Sequence, residues 1–391
     1  MTTTAPSTSR ATPAGRPPRI AVVGVHGHGA SHVRRVLELQ RAGEAALGAV
    51  VDPREPGPGH DAHDTAPWFP TLGDLLSTPG HEVDVVVLST PIPTHLPLAR
   101  AAMEADLDVL LEKPTTASLA EHAELVAVAE RTGRRCQVGF QTFGSQAVPA
   151  AAAMVAAGEI GEVVGLGAVG TWVRDAAYWA RAPWAGRRHL DGRDVVDGVV
   201  TNPLAHAVAT TLLLGGATRT EDVAWVDTDL YRAHPVEADD TSSVRVVGAD
   251  GRRYGFGLTL CAPRRSPARV LVLGTRGELE YFYEDDRLRL RSGRVTVEKT
   301  YGRTSLLDDL LAARTDPRRE LACDVRATGA FMRVLEAVRT APDPTPVPED
   351  RFEWRGDGDG RHAVVHDVER WCEQAARTQQ TFAELGAPWT A

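Results

Sequence analysis

Residues 19–32 read RIAVVGVHGHGASH. The run opens apolar, turns glycine-rich, and continues as ASHVRRVLELQRAG with apolar positions at helical spacing. A strand that feeds glycines and then a helix is the context in which the fingerprint G-x-G-x-x-G carries meaning. Amides at a helix start attract pyrophosphate oxygens, and glycine lets the backbone come close to them. Gly24 and Gly29 hold the first and third fingerprint positions; His26 stands at the second, followed by Gly27 and His28. The stretch predicts a phosphate-gripping turn, with a plain strand-to-helix turn and a metal site as the competing readings. His28 and His32 are spaced for one helix face. No glutamate accompanies them in the H-E-x-x-H sense and no other ligand cluster is apparent, so no metal is expected.

Outward from this loop, the apolar runs ALGAVVD, VDVVVLST, LDVLLEKP and RRCQVGF alternate with amphipathic stretches. Continuous Val/Leu strands between helices suggest burial on both faces and hence a parallel sheet. Over 118–132, Ser118 with Glu121 forms a capping box and Gly133 supplies the stop. The strand after the first helix ends in Asp52, about 20 residues past the glycines, where a carboxylate can accept both adenosine ribose hydroxyls and favour NAD. Arg54 could instead hold a 2′-phosphate, so NAD or NADP stays open, with NAD slightly favoured.

Past residue 141 long alternating strands take over. In YGFGLTL, Tyr254, Phe256, Leu258 and Leu260 fall on one face and small residues on the other, predicting an antiparallel sheet with one buried face. Helices are expected over Glu320–Arg339 and about Ala363–Ala376, separated by the proline-rich APDPTPVPED. The expected organisation is a tail over 1–18, a doubly wound α/β dinucleotide-binding domain over 19–142, and an α+β domain with a large, mostly antiparallel open sheet over 143–391, for substrate and oligomer contacts.

Bulk properties narrow the function classes. The chain has 391 residues, 43% hydrophobic and 24% charged, with a formal net charge of -9. No Lys/Arg run reads as a nucleic-acid footprint, and no apolar stretch approaches the roughly 20 residues that span a bilayer. Residues 1–18 lack the apolar middle of a secretory signal, so a disordered tail and a cytoplasmic protein are expected. Cys136, Cys261, Cys323 and Cys372 are scattered and suggest neither disulfides nor zinc.

VLLEKPTT places Glu112 and Lys113 at the carboxyl end of a buried strand, the edge where ligands sit in doubly wound sheets. Pro114 restricts Lys113 to extended geometry and makes a cis bond plausible. Lys113 could donate to a substrate oxygen or pass a proton, or be an ordinary charge at a strand exit.

Together, AVVGVHGHGASH, VVLSTPIPTHLPLA, LLEKPTT and QVGFQ resemble the glucose–fructose oxidoreductase / inositol dehydrogenase / rhizopine-catabolism (Gfo/Idh/MocA) family. The resemblance spans 19–391 and closes with QQTFAELGAPW. It implies an N-terminal Rossmann domain carrying NAD or NADP, a C-terminal sheet domain whose open face makes homo-oligomer contacts, and reversible oxidation of a sugar or cyclitol hydroxyl. It implies that Lys113 lies beside the nicotinamide and that Thr90, Pro91 and His95 line the cofactor. The family's D-x-x-x-H pair matches NPLAH, with Asn202 in place of the acid and His206. From the residues alone, Asn202 is a good helix cap, Pro203 a good first helical residue, and His206 an imidazole one turn on that can take a hydroxyl proton. An amide cannot act as a base, which makes Asp197 the candidate replacement acid.

The stretch YWARAPWAGRRHLDGRD offers Trp179 and Trp184 as an apolar platform and Arg187 and Arg188 as clasps, or else core tryptophans beside solvated arginines. Asp239 and Asp240 read as a turn or solvated edge, or as part of the site. The sequence thus predicts an NAD(P)-dependent oxidoreductase acting on a small sugar-like polyol, with Lys113 and His206 catalytic. A redox-neutral glycoside-cleaving enzyme of the same fold and a non-catalytic dinucleotide-binding protein are the alternatives.

Overall fold

The structure, a computed structural model, describes residues 16–316 and 318–390; residues 1–15 of the expected tail lie outside the described residues. Chain contacts divide it into two units. Of the described residues, the first comprises 16–116, 120–139 and 306–325, and the second comprises 117–119, 140–305 and 326–390.

In the first unit, β1 (Arg19–Val23) leads through the glycine loop into α1 (Gly29–Ala42), then β2 (Ala46–Val51), β3 (Trp68–Phe69) and α2 (Leu72–Ser77). The chain continues through β4 (Val85–Leu88), α3 (His95–Glu104), β5 (Asp108–Leu111), α4 (Leu119–Thr132) and β6 (Cys136–Val138). The six strands are parallel in the order β3-β2-β1-β4-β5-β6. Strand order reverses between β1 and β4, and that switch point opens a crevice at the carboxyl ends. Ile20, Ala21, Val22 and all of β4 are buried, which is why their sequence is a continuous apolar run. α1 stops at Gly43, whose left-handed conformation returns its N–H to the Gln40 and Leu39 carbonyls.

A segment that the sequence assigned to the second domain belongs to this unit. Leu306–Thr315 is a helix absent from the sequence reading, and the chain after it lies along β6. Gln137, buried on β6, donates to the Asp309 carboxylate (2.8 Å) and accepts from the Cys323 N–H (2.9 Å). Val138 N–H donates to the Cys323 carbonyl (2.8 Å). The single helix expected over Glu320–Arg339 is therefore shorter: it begins at Gly329 and ends at Thr340. Before it, Asp324 makes a single antiparallel bridge to Gln137, and Val325–Thr328 form a 3-10 turn that leads into the helix.

The second unit is built on a nine-stranded mixed sheet. Its central strand, Val163–Thr171, pairs parallel with Arg253–Thr259 and antiparallel with Arg269–Gly274. Most other neighbours are antiparallel. Tyr254, Phe256 and Leu258 are buried as expected. The opposite, small-residue face is buried too, which corrects the expectation of one buried face. The helix Val368–Thr378 lies against it: a Cβ at Gly257 would sit 2.1 Å from the Cys372 carbonyl oxygen, and one at Gly167 2.4 Å from that of Ala376. Glycines on these strands let a helix backbone rest directly on the sheet.

Candidate functional site

The glycine loop is shaped by close approach. Gly24 has φ +79°, and a Cβ there would lie 2.2 Å from the Ser89 carbonyl oxygen; one at Gly29 would lie 1.6 Å from that of Gly24. Only glycine fits either position. Gly27 also has positive φ, but nothing lies within 4 Å of its added Cβ, so the loop is open above it. The Val25 peptide is held at both ends. Its N–H donates to Asp52 Oδ2 (3.1 Å), and its carbonyl accepts from His60 Nε2 (3.0 Å). The Ala62 N–H donates to His60 Nδ1 (3.0 Å), which places the His60 proton on Nε2. Asp52 Oδ1 accepts from the Arg54 N–H (3.0 Å), so each carboxylate oxygen keeps acceptor capacity. His26, at the second fingerprint position, turns to the Arg54 carbonyl (3.1 Å) and packs edge-on against His60.

The next strand exits carry the other predicted residues. His95 is buried, with Nε2 2.9 Å from the Thr90 carbonyl and Nδ1 3.0 Å from that of Pro114. It rivets the turn holding Thr90 and Pro91 to the loop after β5 rather than facing an opening. Burial pushes its pKa down against the opposing pull of those carbonyls. The Lys113–Pro114 bond is cis. Glu112 faces two imidazoles: its Oε1 lies 2.8 Å from His32 Nε2 and 3.3 Å from His28 Nε2. Burial pushes the Glu112 carboxyl up, but hydrogen bonds from His28 and His32 outweigh it and hold it well below the usual carboxylate range. The same bond to Glu112 raises His28. The acid missing from the helical spacing of these histidines is supplied from β5.

In the second unit, His206 lies in the first turn of the helix Ala205–Leu214, its ring edge-on to Phe140 (5.7 Å between centroids) and 6.3 Å from that of Tyr283. The helix starts two residues after Pro203, and Asn202 does not cap it; its side-chain amide donates to the Asp197 carboxylate. Asp197 also accepts from Arg181 (2.8 Å) and from the Gly186 N–H (2.8 Å). Burial raises the Asp197 pKa. Val196, just before it, has φ +44°, a strained conformation for a β-branched residue.

Trp184 stacks on Arg181 (4.6 Å), the last rung of an alternating ladder that runs from Arg265 through Trp172, Arg174, Tyr178 and Arg181. Arg181 is bound to Asp197 and Arg265 to Glu284. Arg174 Nε and the Tyr283 hydroxyl are buried without hydrogen-bond partners, the kind of orphaned group that a ligand or water completes. Sequence reading missed Arg174, Tyr283 and His60 because ladders and ring contacts join residues distant along the chain. Arg188, expected as a substrate clasp, has its guanidinium engaged within the chain. It is buried, and its guanidinium donates to the Val338, Arg339, Ala341 and Pro342 carbonyls at the end of the helix Gly329–Thr340. Asp239 and Asp240 are buried rather than solvated. Asp239 accepts from Ser242, and Asp240 pairs with His234 (2.8 Å).

Residues 18–140 match an oxidoreductase family described by its NAD-binding Rossmann fold, and residues 148–280 match the GFO/IDH/MocA C-terminal domain. The chain belongs to the Gfo/Idh/MocA family. It is 27% identical over 243 residues to the uncharacterized oxidoreductase YdgJ of Escherichia coli, covering 61% of this chain and 66% of that protein. It is 36% identical over 124 residues to an inositol 2-dehydrogenase of Rhodococcus jostii, covering 31% of this chain and 33% of that one. The WlbA dehydrogenase of Bordetella pertussis, solved with NADH and UDP-GlcNAcA, superposes with a TM-score of 0.66 at 21% identity over 83% of this chain and 95% of its own. That likeness confirms the fold.

Proposed function

We propose that this chain is an NAD-dependent dehydrogenase that moves a hydride between the nicotinamide and a CH–OH or keto carbon of a sugar, cyclitol or related polyol. The observation that carries the reading is the Val25 peptide pinned between Asp52 and His60, in a loop closed to side chains at Gly24 and Gly29 and open above Gly27. That backbone cradle fits a pyrophosphate at a helix start. The remaining acceptor capacity of Asp52 suits a ribose diol, which supports NAD over NADP.

When bound, the dinucleotide supplies the hydride acceptor. The chain supplies the rest: Lys113, at the exit of β5, polarises the substrate oxygen, and His206 accepts the hydroxyl proton. Asn202, oriented by Asp197, hydrogen-bonds a neighbouring hydroxyl. Arg174, whose charge is not spent on a carboxylate as those of Arg181 and Arg265 are, supports a substrate bearing an acidic group. The reading includes a homo-oligomer.

The test is a panel of neutral and acidic sugars, cyclitols and their keto forms with NAD and NADP, read by reduced-nicotinamide absorbance. Turnover with NAD is the expected result. Tight NADH binding without turnover across the panel overturns it, and release of the phenol from aryl glycosides without net reduction would replace it with glycoside cleavage.

A further inference from the structure

His28 precedes α1 and His32 lies in its first turn, while Glu112 arrives from the end of β5. Their ligand atoms converge: the two imidazole nitrogens lie 3.3 and 2.8 Å from one Glu112 oxygen, and all three atoms lie within 4.8 Å of one another. The rings meet edge to face, with centroids 5.3 Å apart. The other Glu112 oxygen is already engaged by the Lys113 N–H (3.2 Å), and the carboxylate rests on Gly139, where a Cβ would come within 3.1 Å of it. Backbone contacts therefore fix the carboxylate and leave Oε1 directed at the imidazoles.

Tetrahedral Zn2+ binds imidazole nitrogen and carboxylate oxygen at about 2.0–2.1 Å, which sets neighbouring ligand atoms about 3.3 Å apart. The His28–Glu112 separation already has that value. His32 would retreat by about half an ångström, a small rotation of one ring. Two nitrogens and one carboxylate oxygen suit zinc, cobalt or nickel rather than the all-oxygen shells of calcium and magnesium. We propose that His28, His32 and Glu112 form a three-ligand site for a divalent ion of the zinc class, with its fourth position open to water or a ligand oxygen. Among the described residues, a second His/acid/Cys cluster differs. In it the Ala363 N–H donates to His234 Nε2 and His234 Nδ1 faces Asp240, so that ring has no lone pair left for a metal.

The site shares the glycine loop with the proposed dinucleotide cradle, and its test uses the metal alone so that its outcome is read apart from the dehydrogenase reading. Untagged full-length protein, freed of metal by chelator, is titrated with Zn2+ by calorimetry and with Co2+ by visible absorption. One equivalent of Zn2+ and the intense d–d bands of low-coordinate Co2+ are expected. His28→Gln is the primary variant because this side chain is the more exposed of the two histidines. It should weaken Zn2+ by at least about tenfold, with an unchanged melting temperature before metal is added. His32→Gln should do the same, and His63→Gln, outside the cluster, should bind as the parent does. Absence of saturable binding by the parent, or undiminished binding by His28→Gln, overturns the proposal. NADH affinity, measured separately, reports on the dehydrogenase reading.

Discussion

The side-chain amide of Asn202 donates to the carboxylate of Asp197, five residues earlier in the chain. The carboxylate is buried, bound to Arg181, and preceded by the strained Val196. In the proposed mechanism Asp197 would be a positioning residue that acts through Asn202.

Asp197→Asn should therefore lower kcat by at least about tenfold while KM for the dinucleotide holds, because the substrate-side amide loses its orientation. Breaking the Arg181 pair also costs stability. Asn202→Ala, which leaves that pair intact, should lower kcat in the same direction without moving the melting temperature. A normal kcat in both variants would remove the relay from the mechanism.

Lys113→Ala and His206→Ala should each cut turnover by at least about tenfold, the usual scale for losing a proton-transfer or polarising group. NADH binding, followed by fluorescence, should stay measurable in both. Normal oxidation of the right substrate by either variant would show that its side chain does not take part.

The two loop glycines separate crowding from conformation. Gly29→Ala drives a methyl into the Gly24 carbonyl and should abolish measurable NADH binding. Gly27→Ala meets open space and carries only the left-handed backbone penalty, about 1–2 kcal/mol. NADH affinities of the two variants, measured side by side, check the difference.

Arg188→Ala should behave as a stability mutation. Four helix-end carbonyls lose a charged donor, at a cost of about 3 kcal/mol. Specific activity of the folded fraction should be unchanged. A raised KM with an unchanged melting temperature would return Arg188 to the substrate.

Burial raises Asp239 to about 6, well above the ordinary carboxylate value. The folded state thus holds a proton that the unfolded chain releases near pH 4, so stability falls as pH rises through about 6. The cost at neutral pH is about 3 kcal/mol. Asp239→Asn should flatten the dependence of melting temperature on pH between 4 and about 7.5. An unchanged slope would show that Asp239 ionises outside this window.

The parts legible in the sequence were those written into local order. Gly24, Gly29 and Asp52 sit on a strand–loop–helix–strand run whose hydrophobic pattern declares each element, and Pro114 made the cis bond that the structure shows plausible. What stayed hidden depends on chain-distant partners. Nothing near His28 in sequence announces Glu112, and nothing near Arg188 announces the helix end it caps. The Leu306–Thr315 helix has too little amphipathic contrast to stand out, and the contacts that Cys323 and Asp324 make with β6 depend on chain-distant partners. In the second sheet the glycines were read as an uncovered face, when their smallness is what admits a helix backbone.

The return of residues 306–325 to the sheet begun at Arg19 has a consequence for biosynthesis. At about 5–20 residues per second, the ribosome needs on the order of tens of seconds after Val138 emerges to deliver Cys323, which completes that edge. Until then the nascent nucleotide domain carries an open β-edge and an unsatisfied Gln137 amide, and no single cut between the two units would release it whole.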